Sequence, residues 1–251
     1  MIGDKVLKKV MKISTVFFLS MFMTIAITAS SRLIPIYSVN TDQAKVALTF
    51  DVAWGGDDFE QILAILDDNQ VKATFFIVGD WIDKYPDKVK LLKDKGHDIA
   101  NHSNSHPHVT KLSVDEIKED IQAAHKKVRD LLGIEMDLYR APYGEYNNDV
   151  ITAANELGYH TIQWDVDSLD WKDYTKEELV ANVLEHSSLQ PGSIILFHTG
   201  TKYTKDILDE TIKGLKNLEY ELIPVSELII RQDYFCDFRG RQYKQEVTTV
   251  F

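Results

Sequence analysis

Short apolar runs alternate with helical patterns along the chain from residue 45 onward. The runs are nearly continuous in apolar residues, which is typical of strands buried on both faces of a parallel sheet. They are residues 46–50, 73–78, 99–101, 138–140, 161–164, 192–197 and 221–223. Between them, apolar side chains recur at helical spacing in residues 59–66, 89–92, 113–128, 150–157, 177–184 and 207–218. This alternation predicts an α/β fold with a parallel sheet covered by helices.

Polar residues recur just after the predicted strands, which favours a closed or nearly closed barrel over an open sheet. They are Asp51, His102, His106, Arg140, Asp165, Asp167, Asp170, Trp171 and His198. Taken singly, each has an ordinary explanation as a turn residue, a helix cap or a surface charge. In α/β barrels, however, catalytic residues lie at the rim formed by the carboxyl ends of the strands. Their joint placement therefore predicts one functional site at that rim.

The two histidines of this set are four residues apart, in a loop after the third predicted strand. At this spacing His102 and His106 can direct both imidazoles at one point, and neutral imidazole is a common ligand of divalent metals. Such a pair is frequent by chance, so its interpretation as a metal site depends on the residues that accompany it.

Charge and cysteine content exclude several classes of protein. The chain of 251 residues has a formal net charge of −11, with four lysines and one aspartate before residue 32. The remainder is therefore strongly acidic, which argues against nucleic acid as a partner. Cys236 is the only cysteine, so no disulfide forms within the chain and no thiolate cluster binds a metal.

The N-terminus has the pattern of a membrane address. Four lysines precede an uncharged, largely apolar run over residues 13–31. The run is long enough, at about 1.5 Å per residue, to cross a bilayer core of about 30 Å. Positive charge before it predicts a cytoplasmic N-terminus and an exported body. A cleaved signal peptide is the alternative to an uncleaved anchor. An exported body without disulfides fits a bacterium better than a eukaryotic secretory route.

Five motifs, in order along the chain, resemble the pattern of the polysaccharide deacetylases (NodB homology, carbohydrate esterase family 4). They are Thr49-Phe50-Asp51, His102-Ser103-x-x-His106-Pro107, Arg140-Ala141-Pro142-Tyr143-Gly144, Asp167-x-x-Asp170-Trp171 and Leu196-x-His198. The resemblance covers residues 45–230. It implies a distorted (β/α)7 barrel, here preceded by one N-terminal hydrophobic helix. It also implies removal of acetyl groups from sugar polymers such as peptidoglycan.

The resemblance implies a role for each matching residue, and general chemistry supplies the reasons. Asp51 would accept the proton of the attacking water, and His198 would protonate the departing amine. His102 and His106 would hold a divalent metal, zinc or similar, which activates water and polarises the carbonyl. Arg140 would pair with Asp51, and Asp170 and Asp167 would favour protonated His198. The residues that would bind the substrate are Pro142, Tyr143, Trp171 and Leu196. The backbone N–H of Tyr143 would stabilise the oxyanion.

One position departs from the family pattern. The first motif usually ends in two aspartates, of which the second is a metal ligand, whereas this chain has Val52 there. Two imidazoles alone make a weaker site than three protein ligands. Asp57 or Asp58 in the following loop is a candidate replacement. Three hypotheses follow: an enzyme with reduced activity, a glycan-binding protein with little turnover, and a metal-independent deacetylase.

The form Asp51-x-x-Trp54-Gly55, together with the predicted anchor, resembles membrane-anchored deacetylases of spore-forming bacteria. This predicts a role in sporulation and a location at the extracytoplasmic face of a bacterial membrane. The expected organisation is a cytoplasmic segment (1–12), an anchor or signal sequence (13–31), a linker (32–44), the deacetylase domain (45–230) and a polar tail with scattered aromatics (231–251). The expected partners are an N-acetylated glycan and the membrane, with the protein itself a monomer.

Overall fold

The structure, a computed structural model, describes residues 32–245. Its strands are β1 (Ser38–Val39), β2 (Lys45–Val52), β3 (Thr74–Ile77), β4 (Asp98–Asn101), β5 (Leu138–Tyr139), β6 (His160–Thr161), β7 (Val166–Asp167), β8 (Ile194–His198), β9 (Glu221–Leu222), β10 (Tyr234–Cys236) and β11 (Arg241–Lys244). Its α-helices are α1 (Phe59–Asp68), α2 (Gly79–Lys84), α3 (Pro86–Asp94), α4 (Val114–Leu132), α5 (Asn148–Glu156), α6 (Lys176–Leu184), α7 (Thr204–Asn217) and α8 (Val225–Leu228).

The predicted membrane segment, residues 13–31, lies outside the described residues. Within residues 32–245, no helix is long and apolar enough to cross a membrane.

The main sheet has the strand order β6-β5-β4-β3-β2-β8-β7, and β9 pairs with the start of β2. All of these pairings are parallel, as the alternation of strands and helices predicts. The sheet curls: Ile36 bridges Ile162, just beyond β6, and nearby Ser38 bridges Ser193, just before β8. In the described part of the chain, no ladder joins β6 directly to β7. The structure therefore confirms an α/β fold whose parallel sheet is curled.

The fifth predicted strand, residues 161–164, is not one continuous strand in the structure. The structure has β6 ending at Thr161 and a separate short strand, β7, that begins at Val166. Asp165 therefore precedes a strand instead of following one. Its carboxylate accepts hydrogen bonds from the backbone of Ile194 (2.9 Å) and the hydroxyl of Ser193 (3.0 Å), at the beginning of β8. This places Asp165 away from the rim where the sequence pattern had put it.

Alternation along β2 separates two apolar layers. Leu48, Phe50 and Val52 belong to the cluster that packs against the helices, whereas Ala47 belongs to the cluster inside the curled sheet. Successive side chains of a strand point to opposite faces, so Asp51 lies on the inner side with Ala47. The inner layer thus ends, at the carboxyl end of β2, in a carboxylate.

The segments before β2 and after β9 close the opposite end of the sheet. Ile36 and Val39 are buried, although the region 32–44 was expected to be a linker. At the beginnings of β3 and β4, Val225 N–H donates to the Thr74 hydroxyl and Ser226 donates to Asp98. β10 and β11 form an antiparallel hairpin that also pairs with β1. The region predicted as a tail therefore packs on the fold as far as the structure describes it.

Candidate active site

A pocket of about 540 Å³ opens at the carboxyl ends of the strands. Most of the residues predicted for the site line it, namely Asp51, His102, His106, Tyr143, Asp167, Trp171, Leu196 and His198. Arg140 and Asp170 are fully buried beside it, each bonded to a lining residue. Pro142 is buried in the short turn Pro142–Gly144 and does not line the pocket. Residues from β2, β4, β5, β7 and β8 therefore converge on one cavity.

Asp51 ends the inner face of β2 and is held by a buried ion pair. Arg140 donates from Nη1 to Asp51 Oδ1 at 2.8 Å and from Nη2 to the Gln163 carbonyl at 3.2 Å. The guanidinium also packs over the Phe76 ring at 4.0 Å. Burial by itself would raise the pKa of Asp51, but the charges of Arg140 and His198 and the hydrogen bond from Arg140 hold that pKa below its ordinary value. Asp51 is therefore an ionised carboxylate at neutral pH and can accept a proton.

His198 lies directly across the ladder from Asp51, because β2 and β8 pair in the register Asp51 to His198. Its Nδ1–H donates to Asp170 Oδ1 at 2.8 Å, and its backbone N–H donates to Asp170 Oδ2 at 2.7 Å. Thr204 adds a hydroxyl hydrogen bond to the same carboxylate. Burial lowers the pKa of His198, but the hydrogen bond and charge of Asp170 outweigh it and raise the pKa above its ordinary value. The arrangement suits a proton donor that uses Nε2.

His102 and His106 lie next to each other, with ring centroids 5.0 Å apart. His102 Nδ1–H donates to the Arg140 carbonyl at 2.8 Å, which leaves the Nε2 lone pair free toward Asp51, whose Oδ2 is 3.5 Å away. Burial lowers the pKa of both imidazoles, in His106 to about 4. Both rings are therefore neutral at pH 7, the form in which imidazole binds a metal.

The loop between these histidines has a constrained backbone. Ser103 and His106 both have positive φ, 70° and 56°. The buried Asn101 side chain accepts the Ser103 N–H, and Ser103 Oγ accepts the His106 N–H, both at 2.9 Å. Local hydrogen bonds of this kind stabilise a conformation that most residues avoid.

Comparison with known proteins identifies the family. A family profile described as polysaccharide deacetylase matches residues 38–162. The peptidoglycan-N-acetylmuramic acid deacetylase PdaA of Bacillus subtilis is 30% identical over 200 residues, which cover 78% of this chain and 76% of PdaA. The chain belongs to the polysaccharide deacetylase family.

Other members of the family differ in what is known of their activity. A peptidoglycan-N-acetylglucosamine deacetylase of Bacillus cereus is 37% identical, with 70% of this chain and 64% of the relative covered. The uncharacterised protein YlxY of B. subtilis is 35% identical, and this chain spans only 60% of its length. The solved structure of a CE4 family pseudoenzyme from Bacillus anthracis matches with a TM-score of 0.75 and 32% identity, covering 79% of this chain and 69% of that one.

The residues present fit a deacetylase metal site only in part. His102 and His106 supply two neutral imidazoles, and the Arg140 carbonyl sets the ring orientation of the first. Val52, at the position of the usual third ligand, is fully buried in the helix-side apolar cluster. Asp58 does not replace it, because both of its carboxylate oxygens accept the Gly200 N–H at 2.9 Å. Within residues 32–245, no group of three or more His, Cys, Asp and Glu side chains is placed to hold a metal ion.

Sequence reasoning missed several residues of this pocket. Trp54 and Trp164 line it, as do residues 199–201. The position of Trp54 could have indicated this, since a tryptophan in the loop after a strand that ends in a predicted site residue lies at the same rim. The clamp between Asp58 and Gly200 carried none, because its partners are 142 residues apart.

Proposed function

We propose that this chain hydrolyses N-acetyl groups of cell-wall glycan, with Asp51 as the base and His198 as the acid. One observation carries the proposal: the Asp51–Arg140 and His198–Asp170 pairs face the same pocket from adjacent strands. Together they favour the deprotonated form of Asp51 and the protonated form of His198. Relatives named for the deacetylation of N-acetylglucosamine and N-acetylmuramic acid in peptidoglycan support this choice of reaction.

The reaction needs one water and two proton transfers. Asp51 accepts a proton from the water as its oxygen attacks the acetyl carbonyl carbon, and the Tyr143 N–H donates to the developing oxyanion. His198 then protonates the amine nitrogen as the C–N bond breaks. The products are acetate and the free amino sugar. Leu196 and Trp171 provide the apolar surface for the acetyl methyl group.

Deacetylases of this family generally use a divalent metal, which supplies water activation and carbonyl polarisation when bound. In this chain only His102 and His106 would hold it, so none of the steps above depends on it. We propose that zinc or a similar ion binds weakly here. We also propose that the curled sheet belongs to a distorted (β/α)7 barrel of the family's type.

The proposal is tested by acetate release from N-acetylated peptidoglycan, with a protein that lacks residues 1–31. His198→Ala should lower the rate by about 10²–10⁴-fold, the usual contribution of a positioned acid. Asp51→Asn should lower it similarly. Asp68→Asn is the matched control, because Asp68 is an exposed carboxylate at the end of α1, outside the pocket lining, and it should retain the rate. Equal rates for His198→Ala and the parent protein would refute the assignment.

The position of Val52 favours a second candidate, a glycan-binding protein without turnover. The similar fold of a CE4 family pseudoenzyme supports this candidate. Binding of peptidoglycan fragments with no acetate release, in the presence of zinc, cobalt or manganese, would decide for this candidate.

Val52→Asp tests the missing ligand directly. The new carboxylate would lie among apolar side chains, where an unpaired charge is destabilising. If it reaches a metal held by His102 and His106, the destabilisation should be offset by zinc, and Tm should rise with zinc concentration. The same substitution combined with His106→Ala is the control. A Tm that does not respond to zinc in Val52→Asp would show that the third ligand belongs elsewhere.

We also propose that the protein works at the extracytoplasmic face of the membrane of a spore-forming bacterium. The lysine-flanked apolar segment over residues 13–31 supports this location. Deletion of residues 1–31 should move the protein from the membrane fraction to the soluble fraction. If the parent protein is already soluble and begins after residue 31, the segment is a cleaved signal.

A further inference from the structure

The pocket carries acidic side chains without exposed cations to balance them. Its lining includes Asp51 and Asp167 but no lysine or arginine. Arg140 lies buried beneath it, with hydrogen bonds to Asp51 and the Gln163 carbonyl. The charge of His198 is matched by Asp170. A ligand that brings its own carboxylate into this pocket would therefore meet like charges and no lysine or arginine side chain in the lining.

Two lysines near the rim have contacts outside the pocket. Lys172 Nζ lies over the Trp171 ring at 5.1 Å and over the Tyr174 ring at 5.8 Å. Lys202 forms an ion pair with Asp173 at 3.2 Å. Neither lysine lines the pocket, so a carboxylate inside it would not contact either ammonium group directly.

Exposed aromatic rings gather at the mouth of the same pocket. Trp54, Tyr143 and Trp171 all line it, with 55%, 56% and 58% of their surface exposed. Large aromatic side chains are rarely left this open without a partner, and a cluster of them around a cavity is typical of a ligand groove. The face of an aromatic ring is electron-rich and apolar, so it suits the C–H face of an uncharged sugar ring.

The loop that carries Trp54 is fixed before any ligand arrives. Trp81 Nε1–H donates to the Gly55 carbonyl at 2.7 Å, and the carboxylate of Asp58 accepts the Gly200 N–H. The backbone of Gly200 packs so closely that a Cβ there would lie 2.7 Å from the Trp54 carbonyl oxygen. On the pocket side, the Trp54 ring meets the edge of His106, with centroids 5.2 Å apart. A platform held in this way loses little conformational entropy on binding.

We propose that the pocket selects the uncharged sugar of the cell-wall glycan, N-acetylglucosamine, over N-acetylmuramic acid with its lactyl carboxylate, and that Trp54 is the platform on which a sugar ring stacks. The inference builds on the proposed deacetylation of cell-wall glycan and names the sugar on which that reaction acts.

Calorimetric binding of chitotetraose, which carries no charge, tests the platform without requiring turnover. Trp54→Ala should weaken binding by about tenfold, which corresponds to about 1.4 kcal/mol, and Trp54→Phe should recover most of it, since a second aromatic ring can also stack on the sugar. Phe238→Ala is the matched control, because Phe238 is an exposed aromatic that does not line the pocket, and it should leave the affinity unchanged. The affinity for this neutral ligand should not depend on ionic strength.

Mass spectrometry of a tetrasaccharide of alternating N-acetylglucosamine and N-acetylmuramic acid identifies the sugar in the pocket. We expect the acetyl group to leave the glucosamine units. In binding, chitotetraose should be preferred to this charged tetrasaccharide, and the difference should shrink as salt is added.

The outcomes separate this inference from the proposed function. Acetyl loss from the muramic units, or unchanged chitotetraose binding by Trp54→Ala, would overturn the inference while leaving the deacetylase function in place. Trp54-dependent and charge-selective binding without any acetate release would support the inference and remove the proposed catalysis.

Discussion

At the residue scale, the site consists of two buried charge pairs whose partners come from distant parts of the chain. Asp51 and Arg140 are separated by 89 residues, and Asp170 and His198 by 28. Asp170 accepts more hydrogen bonds than the sequence pattern could indicate. Besides the His198 ring, it accepts the His198 backbone N–H and the Thr204 hydroxyl, so it fixes both the ring and the strand end that carries it. This makes Asp170 the residue that orients the proposed acid.

The pH dependence of acetate release should report on that pair. Asp170 raises the pKa of His198, so the protonated imidazole, and with it the activity, persists to higher pH and is lost as pH rises through that pKa. Asp170→Asn removes the raising interaction and should move the alkaline limb of the pH–rate profile to lower pH. The acid limb, which follows Asp51, should stay in place.

Asp173→Asn is the control for this profile, because Asp173 is an exposed carboxylate paired with Lys202. It should leave both limbs unchanged. An alkaline limb that does not move in Asp170→Asn would show that another group supplies the proton.

At the element scale, the site depends on the contact between two loops, one after β2 and one after β8. The first carries Trp54 and the second follows His198, and they meet where Gly55 and Gly200 pack against each other. Both glycines have positive φ, 56° and 74°. Glycine is required at Gly200 by its conformation and also by the absence of space for a side chain. The two strand ends, and hence Asp51 and His198, are held together through this contact.

Comparison of Gly200→Ala with Gly96→Ala should separate the effect of the positive φ from the effect of the missing space for a side chain. Both positions have φ of 74°, but a Cβ at Gly96 meets no atom within 4 Å. Gly96→Ala should lower the free energy of unfolding by about 1–2 kcal/mol, the usual cost of a left-handed conformation. Gly200→Ala should lower it further and should also weaken chitotetraose binding, because the Trp54 carbonyl must move. Equal losses in urea-induced unfolding would mean that the loop contact has no energetic role.

At the scale of the whole molecule, the candidate site lies at one end of the main sheet. The segments before β2 and after β9 close the other end. The short segment that includes Ile36 and Val39 pairs with residues near β6, β8 and β11. The fully buried side chain of Gln242 joins the β10–β11 hairpin to Ile230. It accepts the Ile230 backbone N–H and donates to the Ile230 carbonyl. The segments on either side of the predicted deacetylase domain are thus part of its core.

Truncation should reveal this contribution. A protein lacking residues 1–31 should unfold cooperatively, whereas a protein lacking residues 1–40 should be less stable by several kcal/mol, because each buried aliphatic side chain contributes about 1.5–3 kcal/mol. Ile36→Ala, which keeps the backbone pairing, should have an intermediate urea midpoint. Identical midpoints for the two truncated proteins would contradict this account.

The amino-acid sequence alone determined the elements that depend on local pattern. Apolar runs predicted most strands of the main sheet, and helical spacing over residues 113–128 predicted α4, which begins with a capping box of Ser113 and Glu116. Ordered motifs predicted the family and more than half of the residues that line the pocket. Such features can be predicted because periodicity, caps and motifs involve residues close together in the chain.

Only the tertiary structure decided which residues face one another. Three of these contacts join residues far apart in the chain: the register that sets Asp51 opposite His198, the hydrogen bonds from Gly200 to Asp58, and the packing that buries Ile36. The orientation of Val52 into the apolar layer depends on which face β2 presents to the helices. Sequence patterns do not contain these contacts, since a shift of one residue in a strand register would exchange the two faces.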